Sequence, residues 1–120
     1  MRNQPKYAFF KNTRYALEGF LEVLKNETSF KIEMTIFLAV WALLPFLALP
    51  LWAKAVLGLS LLLVVIAELA NSAVERVVDL VTKEYHPLAK QAKDAGAAMV
   101  MASIVLTVGI WLVTLYYLWA

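Results

Sequence analysis

The sequence predicts an all-α membrane protein, with one amphipathic helix at the bilayer surface and three transmembrane helices. Of the 120 residues, 62% are hydrophobic and only 17% are charged, and the mean hydropathy is +0.72. A chain this short has too small an interior to hide that much apolar surface, so lipid must be part of its solvent. Three long runs are free or nearly free of charge, and a polar pattern of helical period precedes them.

Residues 6–26 (KYAFFKNTRYALEGFLEVLKN) carry polar groups at Lys11, Arg14, Glu18, Glu22 and Lys25, with Phe10, Leu17, Phe20, Leu21 and Leu24 between them. Steps of three and four mark one apolar and one polar helix face. The basic, aromatic-containing start suits a helix lying flat among lipid headgroups. The same charges leave no uninterrupted apolar region near the start, so no cleaved leader is expected.

Residues 34–52 (MTIFLAVWALLPFLALPLW) are uncharged and match the roughly 20 residues needed to cross a hydrocarbon core about 30 Å thick. This first span is drawn at 33–52, with Pro45 and Pro50 kinking or ending it. The second span is expected at 55–81 and opens on a long uncharged stretch (AVLGLSLLLVVIA). Residues 82–94 (TKEYHPLAKQAKD) read as a hydrophilic loop broken by Pro87. The third span, 92–119, falls mostly in a final uncharged run, whose early Ala95, Gly96, Ala97, Ala98, Ala102 and Ser103 permit close helix approach. One membrane domain therefore covers 1–120.

Lys and Arg orient the chain. Arg2, Lys6, Lys11, Arg14, Lys25 and Lys31 precede the first span, and Arg76, Lys83, Lys90 and Lys93 lie between the second and third. Lys54 alone separates the first two. The amino terminus and the 82–94 loop are therefore expected in the cytoplasm and the carboxyl terminus outside. Trp52, Tyr116, Tyr117 and Trp119 suit an aromatic belt on the outer side.

The second span holds ELANSAVERVVD, residues 68–79. A charged side chain at mid-membrane costs roughly 2.5–3.5 kcal/mol on insertion scales, so such residues usually face protein and carry function. At about 100° per residue, Glu68, Glu75 and Asp79 fall on one stripe with Asn71 beside it. Counting from residue 55 at 1.5 Å per residue puts Glu68 about 20 Å along the helix and Glu75 about 30 Å. Glu75 and Asp79 then reach the cytoplasmic headgroups, and Glu68 lies deeper. Glu27, where the amphipathic helix joins the first span, brings another carboxylate to that level. Two carboxylates at headgroup depth suit Mg²⁺, which takes oxygen ligands and keeps other positions for water or phosphate. The deeper, desolvated Glu68 suits a general base.

Other classes stay open on these residues alone. The carboxylates could be interhelical glue in a small membrane scaffold, or an ion pathway in an assembly of several chains. Glu33 reads as a headgroup-level residue, and His86 beside Pro87 as an ordinary loop histidine. A net charge of +2 is too small to argue for nucleic acid, and the absence of cysteine rules out disulfides and thiolate metal sites. Neither a Gly-rich phosphate loop nor the HRD and DFG motifs of soluble kinases occur.

The stretch 68–96, ELANSAVERVVDLVTKEYHPLAKQAKDAG, resembles the signature of the small bacterial diacylglycerol kinase family. The matching positions are Glu68, Asn71, Ser72, Ala73, Glu75, Val78 and Asp79, then His86, Leu88, Ala92, Lys93 and Asp94. The likeness extends over nearly the whole chain. It implies an integral-membrane lipid kinase of the bacterial inner membrane that works as a homotrimer, with sites between neighbouring subunits, and moves the γ-phosphate of Mg-ATP to a lipid hydroxyl. Carried over, Glu68 is the general base and Asn71 its support, while Glu27 and Glu75 hold Mg²⁺. Lys93 neutralises phosphate charge, with Tyr15, Glu84, Tyr85, His86 and Asp94 lining the nucleotide region. Lys31, Glu33 and Trp111 lie near the lipid. Two positions depart from the pattern: Ala8 stands where relatives often carry Arg, and Lys31 replaces Arg, which keeps the charge but loses bidentate geometry. A sister branch phosphorylates undecaprenol, and the HPLAK run at 86–90 resembles it. The FKIE run at 30–33 is closer to the diacylglycerol branch, which is the favoured reading.

Overall fold

The computed structural model describes Lys6 and residues 8–120. Arg2 of the charge bias and Tyr7 of the amphipathic stretch lie outside the described residues. Four helices follow in order: α1 (Phe9–Asn26), α2 (Thr28–Leu43), α3 (Leu51–Val81) and α4 (Pro87–Trp119). A 3-10 turn at Leu44–Phe46 follows α2, where Pro45 withdraws an N–H from the helical ladder. The described chain is all-helical. The segments Thr28–Phe46, Leu51–Val81 and Pro87–Trp119 are long and apolar enough to cross a membrane.

A single residue separates α1 from α2. Glu27 caps the end of one and the start of the other, with extended backbone at φ −115° and ψ 112°. That break lets α1 turn away while Val23, Phe30 and Val65 close a small core at the corner. Phe20 meets Phe30 edge to face with ring centres 5.5 Å apart, a favoured geometry for quadrupolar rings.

Helices α3 and α4 pack along much of their length. Ser60 joins them: its carbonyl accepts from the Thr107 hydroxyl at 3.2 Å, and its Oγ accepts from Trp111 Nε1 at 2.9 Å. At the end away from α1, Trp52 and Tyr117 pack edge to face at 6.0 Å. With 31 residues, α3 is about 46 Å long, well beyond a hydrocarbon core of roughly 30 Å. Its last turns therefore have to leave the apolar layer. In α4 only 11% of the most apolar window is buried within the chain, so most of that surface is left for other cover.

One local expectation is corrected. Residues 87–94 are not loop: α4 starts at Pro87, which suits a first helical position because its missing N–H has no partner there. His86 Nδ1 accepts the Leu88 N–H at 3.1 Å and caps the helix. Of the small residues that open the third run, Gly96 is buried, whereas Ala95, Ala97, Ala98 and Ala102 are exposed.

Candidate active site

Four carboxylates converge where α2 and α3 meet the α1 corner. Glu68 lies beside Glu33, within charge reach of Glu27 and Glu75. Each arrives by a different route. Glu68 and Glu75 are two turns apart on α3, Glu33 stands on α2, and Glu27 is fixed by the helix break.

Two of the four are held by identifiable contacts. Asn71 Nδ2 donates to Glu75 Oε1 at 3.2 Å, the one-turn spacing at which helical side chains meet. Glu27 Oε2 accepts from Ser72 Oγ at 2.6 Å and from Arg76 Nη1 at 3.1 Å. The same guanidinium reaches Glu22 of α1 at 2.8 Å, so Arg76 ties the surface-patterned helix to α3. Glu33 Oε2 and Asn71 Oδ1 are buried without hydrogen-bond partners. Both are acceptors, and a buried acceptor left unmatched is costly.

Below the acidic cluster lies an open apolar groove of about 500 Å³, lined among others by Glu33, Phe37, Val64, Thr107 and Trp111. One carboxylate at the mouth of an apolar groove suits a molecule with a polar head and a hydrocarbon tail. Trp111 is held by Ser60, whereas Lys31 is exposed on α2 and is not brought to the groove.

Toward the α3–α4 connection, a second pocket of about 290 Å³ gathers Lys83, Glu84, Tyr85, His86, Lys93 and Asp94. Five of the residues expected around a nucleotide thus meet in one place. Lys93 pairs with Asp79 at 2.8 Å, and Asp94 pairs with Lys90. Tyr15 is half-buried on α1 and does not line this pocket. The sequence gives no site role to Arg76, Ser72 or Gly96, although all three stand at or beside the acidic residues. Arg76 and Ser72 meet Glu27 across 49 and 45 residues of chain, a relation that helical spacing does not carry.

The donor set is compatible with a hard cation. Among the described residues, no three metal-ligating side chains stand close enough together to share one ion, so a metal here would draw on two carboxylates at most, with phosphate or water oxygens completing it. That is the usual habit of Mg²⁺. The gathered negative charge of Glu27, Glu33, Glu68 and Glu75 favours a cation at this point.

An acidic cluster at one end of a bundle of membrane-length helices, joined to an apolar groove, suits the class of membrane enzymes that act at the lipid boundary. The model of the prokaryotic diacylglycerol kinase family matches residues 14–115. The chain is 34% identical to the diacylglycerol kinase of Escherichia coli K12 over 102 residues, covering 85% of this chain and 84% of that protein. It is 37% identical to that of Haemophilus influenzae, covering 83% and 85%, and 38% identical to that of Pseudomonas aeruginosa, covering 80% and 79%. The chain belongs to the prokaryotic diacylglycerol kinase family. It is a lipid kinase, a membrane protein with three helices able to span the bilayer.

Proposed function

We propose that the enzyme transfers the γ-phosphate of ATP to the hydroxyl of diacylglycerol, giving phosphatidic acid. The observation that carries this reading is the junction of the acidic cluster with the apolar groove through Glu33. A lipid tail in the groove brings its hydroxyl toward Glu68, while the Lys93 pocket lies on the side where water-soluble ATP arrives.

Glu68 takes the hydroxyl proton as general base. The hydroxyl oxygen bonds to the γ-phosphorus, the bond to the β,γ-bridging oxygen breaks, and ADP leaves with those electrons. Asn71 fixes the Glu75 carboxylate, and Lys93 exchanges Asp79 for a phosphate oxygen. Tyr15, Glu84, Tyr85, His86 and Asp94 surround the nucleotide, and Lys31, Glu33 and Trp111 meet the lipid. Glu27 and Glu75 hold Mg²⁺, which supplies charge neutralisation on the phosphates. Phosphoryl transfer needs little beyond positioning and charge neutralisation, so this short set of groups is sufficient.

The same reading gives the assembly and its setting. The enzyme is a homotrimer in the bacterial inner membrane, with α1 lying in the cytoplasmic headgroup layer and the carboxyl terminus outside. The sparsely buried α4 surface supports a partner copy at that face, and the Lys and Arg distribution supports the orientation.

The test is turnover of two lipids side by side in mixed micelles with Mg-ATP. Dioleoylglycerol should be phosphorylated faster than undecaprenol. The reverse order would move the chain to the undecaprenol branch, which the HPLAK run at 86–90 resembles.

A further inference from the structure

We infer that Arg76 is a built-in counter-cation of the acidic cluster, holding Glu27 until a divalent metal takes it. The inference rests on the reading of Glu27 as a metal ligand. It is carried by one arrangement: the carboxylate oxygen that accepts Ser72 Oγ also accepts Arg76 Nη1, at 3.1 Å.

Four carboxylates brought together repel one another unless positive charge stands among them. Among the described residues, the ion pair that reaches this cluster is Arg76 with Glu27 at 3.1 Å, and the same guanidinium holds Glu22 of α1 at 2.8 Å. Its guanidinium is anchored a third time, donating to the Ser72 carbonyl at 3.2 Å. A planar fork can bridge two carboxylates and a carbonyl at once, which an ammonium cannot do with the same geometry. A metal ion bound by Glu27 and the Arg76 guanidinium compete for the negative charge of one carboxylate, whose Oε2 Arg76 already holds. Arg76 need not travel far to yield, because Glu22 and the Ser72 carbonyl keep it in place. The arrangement lets the cluster stay folded while empty of metal, at the cost of weaker metal affinity.

Binding of Mn²⁺ to nucleotide-free protein in nanodiscs, followed by the loss of the free-ion electron paramagnetic resonance signal, tests this directly. Arg76→Gln should tighten Mn²⁺ binding by about two- to fivefold, the range expected for a partly exposed ion pair. Arg76→Lys should restore affinity toward the parent value, and Glu22→Gln, which leaves the Glu27 pair in place, should stay within twofold of it. Unchanged or weakened binding in Arg76→Gln overturns the inference, provided that Glu27→Gln weakens binding. If Glu27→Gln has no effect on Mn²⁺, the metal reading beneath it fails instead. Because Arg76 also secures α1, helical content of each variant by circular dichroism should match the parent. Where Arg76→Gln does not fold, Arg76→Met, which keeps the apolar stem without the charge, takes its place, and binding no tighter than the parent overturns the inference equally.

Discussion

The amide oxygen of Asn71 occupies the space in which a Cβ on Gly96 would stand. Here α4 packs against the acidic face of α3, and glycine leaves room for the Asn71 side chain. The obstructing atom is the end of a side chain rather than backbone, so Gly96→Ala should fold and push the Asn71 amide aside. Glu75 then loses its 3.2 Å partner. We expect turnover to fall at least tenfold, equivalent to about 1.4 kcal/mol of barrier, with little change in thermal stability. Gly109→Ala, which meets nothing within 4 Å, is the matched control and should be nearly silent.

Chelation and the metal ligands form a second test. Activity should vanish in excess EDTA and return with Mg²⁺. Glu75→Gln should raise the Mg²⁺ concentration for half-maximal activity more than tenfold, because one of two proposed carboxylate ligands is neutralised. Retention of the parent Mg²⁺ requirement would remove Glu75 from the metal site.

Lys93 should act on ATP and not on the lipid. Its ammonium now rests on Asp79 at 2.8 Å, in the pocket shared with Glu84, Tyr85 and Asp94. Lys93→Met is expected to raise the KM for ATP about tenfold while leaving the KM for diacylglycerol within twofold. Initial rates with each substrate varied separately give the answer.

Trp111 offers a check on the groove. Replacing it with Phe keeps the apolar body but removes the Nε1–H that bonds Ser60 Oγ at 2.9 Å. The loss should be about 0.5–1.5 kcal/mol of stability, the usual net worth of such a bond. The KM for lipid should rise while that for ATP holds, as measured by thermal denaturation and steady-state kinetics.

The helices were legible because hydropathy and charge act locally: uncharged runs mark α2, α3 and α4, and the polar period marks α1. Glu27 could be placed at a junction for the same reason. The start of α2 at Thr28 was less visible, since Lys31 and Glu33 interrupt the apolar run without interrupting the helix. Pro87 was read as a break, although proline also opens helices, and His86 as its cap distinguishes the two uses. The pairing of Arg76 and Ser72 with Glu27 depends on where α1 folds back against α3, information absent from spacing along one helix. Gly96 stood among six small residues of equal promise, and helix packing alone selects it.

The deepest carboxylate carries the central claim, and a paired substitution isolates it. Transfer of radiolabelled γ-phosphate from ATP to dioleoylglycerol should be abolished by Glu68→Gln, with nucleotide binding retained, whereas Glu33→Gln should weaken lipid use and preserve the chemistry. Glu68→Gln protein that still makes phosphatidic acid at a rate within a few-fold of the parent would contradict its role as the base.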